Sequence, residues 1–408
     1  SRRPSAKAVT RATRPGRDID RAGTGGIDQA STMVAMVSLD EVCGALERVI
    51  DPEIRRPITD LNMVDDVQIE DDGTVMVSIL LTTAGCPLRD SISADVKNVV
   101  GELEGVERVF VKMGAMNSEQ RAELQAKLRG SAADRVVPFA QKGSLTRVLA
   151  VTSGKGGVGK SSVTVNLAAA MAASGLKVGL VDADIFGFSV PRMMGVDQPP
   201  TALDGMIIPP VAHDVKVISI GMFLPDNSPI LWRGPRLHRA LEQFFSDVFW
   251  GDLDVLLLDL PPGTGDIAIS VAQLIPGSEI VVVTTPQIAA AEVAERAGQM
   301  ASQTHQRVVG VIENMSYLLM PDGSKNEIFG QGGGAAVAEQ LTADLGYEVP
   351  LLGSIPIEVS LREGGDEGVP VVLAEGSSEA QESLRGIAGS LARRARGLAG
   401  LSLGVTPV

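Results

Sequence analysis

Cysteine is nearly missing from this sequence. Cys43 and Cys86 are the only two among 408 residues, which excludes a disulfide scaffold and suits a reducing cytosol. The three histidines are scattered and offer no metal-ligand spacing. No run approaches the roughly 18 apolar residues of a membrane span, and no signal peptide is visible. Positive charge is also short: 36 Lys and Arg face 50 Asp and Glu, a formal charge of −14. That balance argues against sequence-independent binding along nucleic acid, which needs a basic surface. What is present is 44% hydrophobic and 21% charged residues, the balance of a soluble globular chain. The length allows two or three domains with sizeable cores. The expectation is a cytoplasmic enzyme that engages neither nucleic acid nor membrane.

The stretch 148–167, VLAVTSGKGGVGKSSVTVNL, organises the rest. An apolar strand meets a turn built from Gly154, Lys155, Gly156, Gly157, Val158 and Gly159; Lys160, Ser161 and Ser162 then open a helical pattern. This is the strand–GxxxxGK[ST]–helix arrangement of a phosphate-binding loop. Glycines let the loop turn its N–H groups inward, and those groups, with the positive end of the helix, bind anions. Lys160 is expected on the β- and γ-phosphates and Ser161 on Mg²⁺. This loop predicts a bound nucleotide.

Residues 1–36 read as a disordered tail. The first 32 are rich in Arg, Gly, Ser and Thr with almost no apolar periodicity, so they bury too little to order themselves. An upstream extension, with Met33 or Met36 as the true start, is the expectation, and Arg2, Arg3, Arg11, Arg14, Arg17 and Arg21 are expected to be solvated, contact with an anionic partner being the alternative. A small domain is expected over 37–115. It opens with a capped helix at 38–50, where Cys43 beside Val42 and Leu46 reads as a buried, inert thiol. Alternation at 63–69 and 74–81 around a turn predicts a hairpin; a helix at 88–103 and a strand at 106–112 follow. Residues 116–146, charged and partly helical, read as a linker.

From 147 to 400 strands alternate with helices. The continuous apolar runs at 178–181, 215–220, 255–259, 280–284 and 308–312 mark a parallel sheet covered on both faces. The fold class is therefore α/β, a doubly wound, mostly parallel sheet with a smaller α/β domain in front. At 383–400, Leu384, Ile387, Leu391 and Leu398 share a helical face beside Arg393, Arg394 and Arg396. A helix docked on the core accounts for this spacing; a helix lying on a membrane is the other reading.

Two strand ends carry carboxylates. Asp182 and Asp184 end one and Asp259 ends another, ahead of a Pro/Gly turn. Such carboxylates hold Mg²⁺ or orient the attacking water when they sit near phosphates; alone they are usually caps or turn formers. Our assignment is Asp184 to the water, Asp259 to the Mg²⁺ side, and Asp182 in support.

Lys155, inside the loop, resembles the deviant phosphate loop of the MinD/ParA/nitrogenase-iron-protein class. The resemblance implies a lysine that crosses to a partner's nucleotide, and so an ATP-dependent homodimer. The small domain, with DPEI at 51–54 and GCP at 85–87, resembles the SufT type found in iron–sulfur assembly factors. Further on, DADIFGFSVP, ILWRGP, DLPPGTGD, IENMSY, IFGQGGG and GSIPIEVSLREGGDEGVPVV occur in the order of the Mrp/ApbC family of iron–sulfur cluster carrier ATPases, over about 150–375. That resemblance implies ATP, Mg²⁺ and an iron–sulfur cluster, with apoprotein clients and assembly factors as partners. It implies that Asn314 hydrogen-bonds the adenine, that Pro356 packs near the base, and that Trp232 to Pro235 lie toward the dimer contact.

The chain departs from the family at one place. Where members carry a CPxC pair that bridges a cluster between subunits, this sequence has LLMPDG, with Met320 and Gly323 at the thiol positions. Cys86, in a Thr/Gly/Pro turn just before a helix that favours a thiolate, is then the expected cluster ligand; a structural turn cysteine is the alternative. Two other functions stay open: a nucleotide-gated adaptor without a bound cluster, and a positioning ATPase of the ParA/MinD kind.

Overall fold

In the computed structural model the described residues are 37–82, 88–129, 137–141, 143–184, 187–223, 234–263, 266–287 and 290–393. The expected tail, Cys86 and Trp232 lie outside them.

The N-terminal unit holds helices α1 (Leu39–Leu46), α2 (Arg89–Gly101) and α3 (Ser118–Arg129) and strands β1 (Val64–Ile69), β2 (Thr74–Leu81) and β3 (Arg108–Ala115). β1 and β2 form the expected antiparallel hairpin, and β3 joins β2 in parallel. α1 begins at a full capping box: the Ser38 hydroxyl accepts from the Glu41 N–H at 3.3 Å, and the Glu41 carboxylate accepts from the Ser38 N–H at 2.8 Å. Such a cap is worth about 1 kcal/mol. The helix stops at Leu46 rather than near 50: the Arg48 and Val49 N–H groups bond three residues back to Ala45 and Leu46, Ile50 then bridges to Pro57, and Asp51 accepts from the N–H groups of Glu53 and Ile54 in the turn that follows. One face of β2, formed by Val75, Val77, Ile79 and Leu81, packs on Ile92, Val96 and Val100 of α2. Each such burial contributes about 1.5–3 kcal/mol. α3 lies in the stretch read as linker and sets Leu124 into the same core.

The larger unit contains β4 (Arg147–Ser153), α4 (Lys160–Ala173), β5 (Val178–Asp182), α5 (Val190–Met193), β6 (Thr201–Leu203), β7 (Met206–Ile208), β8 (Val211–Ala212) and β9 (Val215–Ser219). It continues with α6 (Gly234–Ser246), β10 (Val255–Asp259), α7 (Asp266–Leu274), β11 (Glu279–Thr284), α8 (Ala290–Thr304), β12 (Arg307–Leu319) and β13 (Lys325–Asn326). α9 (Gly333–Leu345), β14 (Leu351–Ile357), α10 (Val359–Glu367) and α11 (Glu379–Arg393) complete it. Among the described residues the main sheet runs β13-β12-β11-β4-β10-β5-β9-β8, with β14 also on β12. All pairs are parallel except those of the short edge strands β13 and β8.

Alternate residues of each central strand feed two cores. Val148, Ala150, Leu256, Leu258, Ile280 and Val282 face α6, α7, α8 and α9. Leu149, Val151, Leu257, Val281 and Val283 face α4 and α11. This is why the strands read as unbroken apolar runs. In α11, Leu384, Ile387 and Leu391 are buried against the sheet, so that part of the face is taken by the core; Arg394, Arg396 and Leu398 lie outside the described residues. Among the described residues, no helix is long and apolar enough to cross a membrane.

The two units share packing. The β6–β7 hairpin, which follows α5, buries Leu203, Met206 and Ile208 in the core of the small unit. Gln125 of α3 donates to the Asp204 carbonyl at 2.6 Å, and Arg55 pairs with Asp214 at 3.0 Å. Beside that ion pair, the DPEI turn places the buried carboxylates Asp51 and Glu53 near Lys216 of β9. Lys216 donates to the Phe249 carbonyl at 3.1 Å. Burial, then the Asp51 charge, pushes Glu53 up to about 7. Burial, then Arg55, brings Lys216 down to about 8.

Candidate functional site

β4 and β10 are adjacent parallel strands, and their carboxyl ends meet α4. That junction collects the residues singled out from the sequence. Gly154 to Gly159 form the loop between β4 and α4, and Lys160 is the first residue of the helix. Glycine is required at 159 on two counts. Its φ is +78°, and a Cβ there would stand 2.3 Å from Asn314 Nδ2. Asn314 donates that amide to the Val158 carbonyl at 2.9 Å, so the end of the loop is tied to β12.

Lys160 is almost fully buried, and its ammonium lies 2.7 Å from Asp259 Oδ1 and 4.0 Å from Asp184 Oδ2. The Ser161 hydroxyl donates to Asp259 Oδ2 at 2.5 Å. Lysine, serine and both strand-end aspartates therefore share one small volume at the mouth of the loop. The hydroxyl and carboxylate oxygens of Ser161 and Asp259 fit Mg²⁺, a hard cation that takes few protein ligands and completes its shell with phosphates and water.

Asp182 lies beside Asp259 in register on the neighbouring strand. It accepts from the Asp184 N–H at 3.1 Å, from the Ser219 hydroxyl at 3.1 Å and from the Val190 N–H at 3.3 Å. Burial, then the Asp259 charge, raises its carboxyl to about 8. Asp182 thus fastens both ends of the segment that carries Asp184.

A cavity of about 340 Å³ opens next to the loop. Gly159, Ser162, Asn314 and Pro356 line it, together with Arg192 of α5 and Glu358. The base-side residues expected from the sequence are thus brought together, on one side of the phosphate loop. Arg192 and Glu358 were not singled out: Arg192 follows DADIFGFSVP, Glu358 lies within GSIPIEVSLREGGDEGVPVV, where a role fell to Pro356 alone, and the packing of α5 against α10 brings the two to the cavity. Lys155 is half-buried and turns to the side, where its ammonium meets Gln287 Oε1 at 2.5 Å.

One expectation is overturned. Cys43 is exposed, not buried: Val42, Ala45 and Leu46 take the inner face of α1, and the helix turns position 43 away from it. Partial desolvation, with Asp40 and Glu47 nearby, raises its thiol, so its thiolate is disfavoured. Gly234 and Pro235 begin α6, but Trp232 lies outside the described residues. Met320 and Gly323 form the turn between β12 and β13, where the Gly323 N–H donates to the Met320 carbonyl at 2.9 Å. Among the described residues no group of three or more His, Cys, Asp or Glu is placed to hold a metal ion.

Comparison with known proteins gives a consistent result. Residues 39–112 match the family described as iron-sulfur cluster assembly protein. An "Iron-sulfur cluster carrier protein" of Mycobacterium leprae is 59% identical over 366 residues, covering 90% of this chain and 96% of its own. A protein of the same name from Synechocystis is 40% identical, covering 88% and 98%. A solved nucleotide-binding protein from Archaeoglobus fulgidus, in complex with ADP, is 34% identical with a TM-score of 0.49, covering 60% of this chain and 100% of its own. Residues 144–392 match the ParA family, described as NUBPL iron-transfer P-loop NTPase. That match takes in more than half of the chain and includes every residue of the loop and its carboxylates, and the chain therefore belongs to this family of iron-transfer P-loop NTPases.

Proposed function

We propose that this chain binds ATP with Mg²⁺ between the phosphate loop and the adjoining cavity, hydrolyses it as a homodimer, and carries iron–sulfur clusters to apoproteins. The observation that carries the nucleotide part is the convergence of Lys160, Ser161, Asp184 and Asp259 within hydrogen-bond or ion-pair reach of one another. A cation at the γ-phosphate and a carboxylate for the attacking water are the parts that phosphoryl transfer to water needs. Mg²⁺, held by Ser161 and Asp259, would neutralise charge developing on the phosphates. The cavity next to Gly159 suits the base, with Asn314 and Pro356 on its wall.

The cargo part is supported by family membership and by the names of the relatives. The cluster is a substrate here, and its ligands must be found without the thiol pair absent at Met320 and Gly323. Of the two cysteines, Cys43 has a raised thiol, which leaves Cys86, one from each subunit. Two thiolates hold a cluster only loosely, and a client's cysteines can complete its shell. Anaerobic reconstitution with iron and sulfide, followed by iron counting, tests this. Wild type should bind iron and pass it to an apoprotein, whereas Cys86→Ser should lose the iron and keep hydrolysing ATP. A wild type that binds no iron but still associates with apoproteins in an ATP-dependent way supports an adaptor instead. The missing thiol pair is the specific feature that favours that second reading.

A further inference from the structure

Asp259, like its neighbour Asp182, is a fully buried carboxylate of the site. Among the described residues three side chains hold it. Lys160 reaches Oδ1 at 2.7 Å, Ser161 reaches Oδ2 at 2.5 Å, and Thr164 Oγ1 lies 3.0 Å from Oδ1. The first two are the groups that a bound nucleotide and its metal would claim. Occupying the site as proposed above, on which this inference rests, withdraws the ammonium toward the phosphates and the serine hydroxyl toward Mg²⁺. Mg²⁺ would take the place of the hydroxyl at Oδ2, whereas Oδ1 loses its cation, and a buried carboxylate oxygen is costly unless a donor remains.

Thr164 is that donor. It sits one turn beyond Lys160 on α4, is wholly buried, and its hydroxyl oxygen is also 2.8 Å from the Lys160 carbonyl. A hydroxyl has one proton, and here it faces two acceptors. While Lys160 and Ser161 satisfy Asp259, the proton can rest on the carbonyl; when they leave, a rotation about the Cβ–Oγ1 bond gives it to Oδ1. The hydrogen bond to an ionised group is the stronger of the two. We propose that Thr164 is a positioning residue for nucleotide-bound Mg²⁺: its hydroxyl holds and orients Asp259 through Oδ1, leaving Oδ2 for the metal side.

The test uses the full chain and a fluorescent ADP analogue, titrated in EDTA and then against rising Mg²⁺, beside steady-state hydrolysis. Wild type should bind the analogue in EDTA and more tightly with Mg²⁺; if it binds under neither condition, the nucleotide-site assignment itself fails. Thr164→Val keeps shape and removes the hydroxyl. It should bind the analogue in EDTA within about twofold of wild type, and its half-saturating Mg²⁺ should rise by about tenfold, the scale of one hydrogen bond to a charge. Thr164→Ser, which keeps the hydroxyl, should restore the wild-type Mg²⁺ requirement. If the valine variant does not fold, Thr164→Ala and Thr164→Ser form the comparison, with the same separation expected. An unchanged Mg²⁺ requirement in the variants lacking the hydroxyl, or a serine variant as impaired as they are, overturns the proposal.

Discussion

At the scale of single residues, the site assigns different failures to neighbouring side chains. With Lys160 as the proposed cation at the γ-phosphate, Lys160→Ala should abolish both nucleotide binding and turnover. Asp184 lies at the edge of the same cluster, 4.0 Å from the ammonium. If its carboxylate orients the attacking water, as proposed, it acts chiefly in the transition state, and Asp184→Ala should bind ATP within a few-fold of wild type and lose at least about 100-fold in kcat. Equilibrium binding and single-turnover kinetics separate the two, and unchanged turnover would remove Asp184 from the mechanism. These residues were legible in the sequence because the loop has a fixed spacing and because apolar strands ending in Asp are easily seen. Thr164 was not. Its role depends on which helical face meets β10, and no motif encodes that. Cys43 was misjudged for a related reason: adjacency to Val42 says nothing about facing when 100° separates successive helical residues.

At the scale of elements, the DPEI turn and β9 form a charged contact within apolar surroundings. Glu53 is raised to about 7 from 4.5, so the folded state holds its proton more firmly than the unfolded chain does. Its contribution to stability is full below the unfolded value and is lost as pH rises through about 7. Burial raises Asp51 as well, which acts in the same sense. Lys216 is lowered to about 8, so its penalty is relieved only as pH climbs above that value. The contact should be weakest between about 7 and 8. Melting temperature measured from pH 5 to 8 should fall more steeply for wild type than for Glu53→Gln; parallel curves would show that Glu53 does not set the trend. The five apolar runs gave the parallel sheet and its two-sided burial in advance. β14 escaped notice because Gly353 and Pro356 interrupt it, and the β6–β7 hairpin because three-residue strands carry no periodicity.

At the scale of the whole molecule, the placement of Lys155 bears on assembly. Its ammonium rests on Gln287 of the same chain, at the side of the nucleotide site. If ATP draws it to a partner's phosphates, Lys155→Ala should weaken ATP-dependent self-association and leave the monomer's melting temperature within a degree or two of wild type. Sedimentation with and without a non-hydrolysable ATP analogue measures this, and an oligomer indifferent to both nucleotide and substitution rules the crossing lysine out. The shared packing of Leu203, Met206 and Ile208 with the small unit has a different consequence. A shortened chain beginning at Arg147 would bare those three side chains to water, several kcal/mol of lost burial at about 1.5–3 kcal/mol each. It should precipitate or self-associate on gel filtration, and adding the separately produced N-terminal piece should rescue it, the halves behaving as complementing fragments of one folding unit.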